Sequence, residues 1–167
     1  AEDMNARKEF PTDLVQQMGE LGLFGLPFPE EYGGSGGTFL DLCLAIEEIG
    51  RVDQSLGITL EAGVGLGAAP IWEFGTEEQK RTYLPDLASG QKLAGFGLTE
   101  PGGGSDAGGL RTSAKRDGDH WVINGSKQFI TNAGTDVSGC VSLTALTGEK
   151  EISSFIVPNG TPGYSVG

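Results

Sequence analysis

Residues 93–110 read LAGFGLTEPGGGSDAGGL, an apolar run followed by Thr-Glu-Pro and then by three consecutive glycines closed with Ser-Asp. Glycine has no Cβ to hold a partner away, so such a run lets backbone approach a ligand closely. The stretch also divides the chain. Upstream, apolar residues recur at helical spacing; downstream, they alternate or fall in β-branched runs. Helices first and strands afterwards imply a multidomain α+β chain: an all-α part over residues 1–91 and a β part over residues 92–167, changing over near Ser89 to Lys92.

Working upstream, Thr76 with Gln79 forms a capping box for a short helix in GTEEQKRTYLPDL, which Pro85 is expected to limit. Before it, a glycine-diluted apolar segment runs from about Gln54 to Ile71. Thr38 with Asp41 marks another helix start, with Leu42, Ala45, Ile46 and Ile49 on one side and Gly50 as the stop. Glu30 to Gly37 is a loop. After Pro11, Thr12 or Asp13 can cap a first helix carrying Leu14, Val15, Met18 and Leu21. Downstream, HWVINGSKQFIT sets two β-rich runs around Asn124-Gly125, a strong hairpin signal because a type I′ turn needs positive φ at both central residues. CVSLTAL and ISSFIVP are further strands separated by a polar turn.

Composition narrows the function classes. The chain has 167 residues and a net charge of -12. Residues 1–79 hold 15 Asp and Glu against 3 Lys and Arg, while residues 80–167 hold 8 of each. The acidic half repels anions, and no basic patch with interleaved aromatics offers a nucleic-acid surface, so nucleic acid is not an expected partner. No apolar run approaches the roughly 18 residues of a membrane span, and a soluble protein is expected. Cys43 and Cys140 belong to no metal-spaced set; they read as reduced, partly buried thiols in a cytosol-like compartment, with no metal expected. The start at Ala1 and the end at TPGYSVG suggest a piece of a longer chain.

The glycine loop matches neither G-x-G-x-x-G between strand and helix nor a P-loop. On pattern alone, a ligand loop and a plain surface turn both remain open. Thr99, Ser105, Thr131 and Asn132 add hydroxyls and an amide at strand ends, groups that hydrogen-bond an uncharged polar ring without a charge or a metal. His120, the only histidine, has no nucleophile or carboxylate spaced as a partner and reads as structural. Glu100, between Thr99 and Pro101 at a turn, reads as holding the shape of the loop.

GFGLTEPGGGSDAGGLRTSA, followed about twenty residues on by INGSKQFITNAG, resembles the signature of the acyl-CoA dehydrogenase family of flavoproteins. ELGLFGLPFPEEYGGSGG and FGTEEQKRTYLPDLASGQ resemble the same family, in the same order along nearly the whole chain. The resemblance implies an N-terminal helical domain and part of a middle β-barrel-like domain, with a C-terminal helical bundle absent from this sequence. It implies FAD as cofactor and α,β-dehydrogenation of an acyl-CoA thioester to the 2-enoyl-CoA, with acyl-CoA oxidases, flavin monooxygenase-like relatives or a non-catalytic module as alternatives.

By the same resemblance, Phe96, Leu98 and Thr99 face the pyrimidine side of the flavin, and Gly104 and Ser105 meet cofactor and the CoA moiety, Ser105 as a substrate contact. Phe129, Ile130 and Thr131 form a second flavin-contacting strand, with Thr131 near the reactive N5 edge. Many family members have Trp where this chain has Phe129, which keeps the aromatic face and drops the indole donor. The third helical segment resembles the end of the acyl pocket, although Glu61 itself reads as an exposed helix-face residue. The catalytic base is expected beyond Gly167. Implied partners are an acyl-CoA, an electron-transfer flavoprotein as acceptor and further copies of the chain in a homotetramer or homodimer. The implied setting is fatty-acid β-oxidation in the cytoplasm, or in the mitochondrial matrix of a eukaryote.

Overall fold

The structure, a computed structural model, describes residues 9–167. Helix α1 (Thr12–Glu20) begins after Pro11 with no side-chain cap, so neither Thr12 nor Asp13 plays the expected role. Val15 and Met18 are buried, whereas Leu21, at the end of the helix, is exposed. In α2 (Phe39–Gly50) the Thr38–Asp41 capping box is present in both directions, with Leu42 buried and Ala45, Ile46 and Ile49 packed against the core.

The third apolar segment is not one helix. Asp53 caps α3 (Gln54–Glu61) through the amides of Ser55 and Leu56. A π-helical stretch (Ala62–Ala68) follows, and then α4 (Ala69–Phe74). Three glycines lower the helical preference of the middle part, and Pro70 has no N–H to return to the preceding turn, so the wider spacing takes over there. The Thr76–Gln79 box opens α5 (Glu77–Ala88), which continues past Pro85. Pro85 lies on an exposed face, where the carbonyl it leaves unpaired can meet solvent.

Five strands follow: β1 (Leu93–Gly97), β2 (Ser113–Asp117), β3 (His120–Asn124), β4 (Ser138–Leu146) and β5 (Ile152–Pro158). β4 is central, parallel to β1 and antiparallel to β5; β2 touches it only at Ser113 opposite Leu146, and β3 hangs on β2. The sheet is mixed and open. Its hairpin turns at Gly118 (φ 59) and Asp119, with Asp117 opposite His120. Asn124-Gly125 instead ends β3, and the FIT run beyond it is irregular, which corrects the expected hairpin position and the expected second strand. The turn is thus a glycine-first two-residue loop, Gly118-Asp119, with positive φ at Gly118 alone.

One core joins the two parts: Val15, Phe24, Phe28, Leu60, Ile71 and Leu84 from the helical side pack with Leu93, Ala94 and Cys140 of the sheet. A smaller cluster (Ala114, Val141, Leu143, Ala145, Val157) lies elsewhere on the sheet. Both cysteines are free; Cys140 is buried, burial raising its thiol to about 11, while Cys43 is exposed rather than partly buried. Among the described residues, no helix is long and apolar enough to cross a membrane.

Candidate functional site

The carboxyl end of β1 carries Phe96, Leu98 and Thr99, and the segment 127–131 runs beside it. Glycines on β1 make this possible. A Cβ at Gly95 would stand 2.8 Å from the Thr131 carbonyl oxygen, and one at Gly97 would stand 3.3 Å from Lys127 Cγ. The Gln128 amide donates to the Thr99 carbonyl at 2.8 Å. Thus Phe96 to Thr99 and Phe129 to Thr131, 30 positions apart in sequence, are neighbours in space. Among the described residues, the N–H groups of Phe129, Ile130 and Thr131 make no backbone hydrogen bond. They are free to meet the edge of a polar ring.

Beneath this platform lies a buried ion pair. Lys127 Nζ donates to Glu100 Oε1 at 2.9 Å and to the Leu98 carbonyl at 3.1 Å, and both side chains are 8% exposed. Glu100 also accepts the amides of Arg111 (2.6 Å) and Thr112 (3.0 Å). Burial by itself raises this carboxyl, but hydrogen bonds from Thr112, Lys127 and the Arg111 backbone outweigh it and hold the group at about 2. A carboxylate buried on three donors and held this far below the ordinary range is a fixed structural anion, not a base for substrate. Glu100 shapes the loop, as its place in the sequence suggests.

The glycine loop leaves that anchor through a tight turn in which Glu100 and Gly103 exchange backbone hydrogen bonds. A Cβ at Gly102 or Gly103 would meet nothing within 4 Å, so packing inside the chain does not require glycine there. Gly104 backs onto the Thr99 side chain, and Ser105 is exposed in the loop.

A pocket of 580 Å³ opens between α3 and the end of the 127–135 segment, lined by Ile58, Thr59, Thr131, Asn132 and Thr135 among others. Thr131 reaches it; Thr99 does not. Asn132 was expected to offer its amide to a ring, but Nδ2 instead donates to the carbonyls of Thr59 (3.1 Å) and Ala94 (3.4 Å). Its buried Oδ1 has no partner. Phe129 is 83% exposed and sits at φ 60, and Asn132 at φ 68. No sequence pattern marks this left-handed pair except the tolerance of Asn for that region. Glu61, at the junction of α3 with the π-helical stretch, is partly buried rather than exposed, and burial pushes its carboxyl up. His120 is exposed at the start of β3.

Two family models match, the acyl-CoA dehydrogenase N-terminal domain over residues 1–91 and the acyl-CoA dehydrogenase middle domain over residues 95–167. The chain belongs to the acyl-CoA dehydrogenase family. A probable acyl-CoA dehydrogenase of Bacillus subtilis, YngJ, is 52% identical over 99% of this chain and 44% of its own length. The butyryl-CoA dehydrogenase of Megasphaera elsdenii superposes with a TM-score of 0.89 at 41% identity, over 96% of this chain and 44% of that one. An acyl-CoA dehydrogenase from Bacillus anthracis, complexed with FAD, gives a TM-score of 0.85 at 44% identity, over 92% of this chain and 26% of that one. This acyl-CoA dehydrogenase family chain therefore spans less than half the length of the relatives it matches.

Proposed function

We propose that this chain contributes the N-terminal helical domain (residues 1–91) and the first part of a barrel-like middle domain (residues 92–167) to an FAD-dependent acyl-CoA dehydrogenase. The reaction is removal of one hydrogen from each of Cα and Cβ of an acyl-CoA thioester, giving the 2-enoyl-CoA. The observation that carries this reading is the hydrogen bond from the Gln128 amide to the Thr99 carbonyl, which sets the two family motifs side by side. The unpaired amides beside them, and the loop glycines that packing does not require, fit the edge and phosphates of a flavin nucleotide. The Bacillus anthracis neighbour with FAD supports the choice of cofactor.

FAD, when bound, supplies the oxidant that accepts the hydrogen leaving Cβ with its electron pair. Phe96, Leu98 and Thr99 would orient the ring along one edge of the platform. Phe129, Ile130 and Thr131 would do so beside them on the same platform, with Phe129 offering an aromatic wall and Thr131 a hydroxyl. Gly104 and Ser105 admit the cofactor and the CoA moiety. Ser105 has no base beside it and acts as a binding hydroxyl, not a nucleophile. The base that takes the α-proton comes from a C-terminal helical bundle. The acceptor is an electron-transfer flavoprotein, the assembly a homotetramer or homodimer, and the setting the cytoplasm or, in a eukaryote, the mitochondrial matrix.

The test uses the full-length protein that carries this sequence. It is expected to purify yellow with flavin absorption bands, and anaerobic butyryl-CoA is expected to bleach them. Protein that takes up no FAD, or flavin that no acyl-CoA bleaches, overturns the reading. Reoxidation in air within about a second of reduction would assign the protein to the oxidase branch instead.

A further inference from the structure

Segment 127–132 has no strand pairing, yet its shape is fixed at both ends by buried side chains. At one end Lys127 Nζ is shared among the Leu98 carbonyl, Glu100 Oε1 and, at 3.4 Å, Thr144 Oγ1. At the other, Asn132 is 5% exposed; its Nδ2 bonds the carbonyls of Thr59 and Ala94, and its own carbonyl accepts from Ser138 Oγ at 2.6 Å. Between these fasteners Phe129 stands in the left-handed region with its ring in solvent. A non-glycine residue pays conformational energy there, and such outliers persist only where the surroundings over-determine them. An exposed ring gains nothing from the protein core that would offset the cost.

We propose that Lys127 and Asn132 are positioning residues that clamp the two ends of this segment so that the Phe129 ring is held off the surface as a preformed wall for a planar cofactor. The proposal rests on the flavin reading above but concerns residues that reading leaves without a role. Lys127 acts through the carbonyl of Leu98 and the Glu100 carboxylate, which tie it to the strand end opposite. Asn132 acts through α3 and β1, so the wall is registered against the helical part as well as the sheet. A wall set in advance spares the cofactor the ordering cost of a mobile loop.

The experiment compares full-length wild-type protein with Asn132→Ala, Lys127→Met, the charge-neutral pair Glu100→Gln with Lys127→Met, Lys127→Arg and Phe129→Leu. Hydrogen exchange of the two bonded amides that bracket the segment, Gln128 (to the Thr99 carbonyl) and Ala133 (to the Ile130 carbonyl), is followed in protein stripped of flavin. Visible circular dichroism and the FAD dissociation constant are measured after reloading. Asn132→Ala and the neutral pair are expected to speed exchange at these amides, alter the flavin bands and weaken FAD by about tenfold. Phe129→Leu is expected to alter the bands equally while leaving exchange unchanged, and Lys127→Arg to restore both. Neutralising both partners avoids the lone buried charge that can keep Lys127→Met from folding. Unchanged exchange in Asn132→Ala and in the neutral pair, or faster exchange with unchanged bands and affinity, overturns the proposal. A wild-type protein that takes up no flavin overturns the flavin reading instead, and the clamp then stands or falls on exchange alone.

Discussion

At the scale of single residues, Glu100 shows how a carboxylate inside a functional motif can be structural. The three hydrogen bonds it accepts join the end of β1, the start of β2 and Lys127, and they hold its carboxyl at about 2 against an ordinary 4.5. Because the folded value is the lower one, the stabilisation is complete above the unfolded value and is lost as pH falls from about 4.5 towards 2. For a group this buried the contribution is on the order of 3 kcal/mol. Glu100→Gln is therefore expected to lose about 3 kcal/mol at pH 7, since Lys127 is left without its counter-charge, and to flatten the acid limb. Urea unfolding between pH 7 and pH 2 measures both. A variant that keeps the wild-type acid limb would show that Glu100 is not the titrating group. The sequence between Thr99 and Pro101 was enough to read Glu100 as a loop anchor. Its partner lies 27 positions on, and nothing local marks Lys127 as buried; nor does anything local mark Phe129 as left-handed, since that conformation comes from fasteners at both ends.

At the scale of elements, the capping boxes at Thr38 and Thr76 were legible because each is complete within four residues. The Asn124-Gly125 signal is equally local, yet Gly118-Asp119 took the turn. The pairing of Ala114 with Ile123 keeps an apolar pair together, and a Cβ at position 125 would collide with Thr112, so Gly125 serves a close approach instead of a turn. The π-helical stretch was not legible, because its stability depends on what it packs against. A Cβ at Gly67 would lie 2.6 Å from the Ala94 Cβ and 2.7 Å from the Ala94 backbone, so the stretch is pressed directly onto β1. Gly67→Ala must push helix and strand apart and is expected to cost about 1–3 kcal/mol. Gly65→Ala is the control, because its new Cβ would meet only the flexible end of Glu61, at 3.2 Å. Its expected change is within about 0.5 kcal/mol. Thermal unfolding of the two variants decides, and equal stability for both would mean that the contact at Gly67 gives way without cost.

At the scale of the whole molecule, the order helices-then-strands was readable from periodicity, while the shared core was not. Leu93 and Ala94 look like any strand start until β1 is seen beside β4 and beneath the π-helical stretch. The uneven charge is the other property of the whole, and it bears on a CoA thioester, whose phosphates are anionic. The balance over residues 1–79 is -12, and over residues 80–167 it is zero. Glu30 and Glu31 are exposed on the 3₁₀ turn (Glu30–Tyr32) that Tyr32 and Arg81 tie to α5, and neither lines the 580 Å³ pocket. Arg111, in contrast, is exposed at the foot of the glycine loop, its amide fixed on Glu100. Arg111 follows Ser105 by six positions and closes the same loop, while screening beyond about 8 Å mutes the acidic helices at physiological salt. In the full-length protein, Glu30→Lys is then expected to leave acyl-CoA affinity within about threefold, under roughly 0.7 kcal/mol. Arg111→Glu is expected to weaken it by more than about threefold, and by a larger factor at low salt. Titration calorimetry at two ionic strengths separates the cases. A gain in affinity beyond threefold from Glu30→Lys would place the acidic turn at the border of the site, and an indifferent Arg111→Glu would send the phosphates elsewhere.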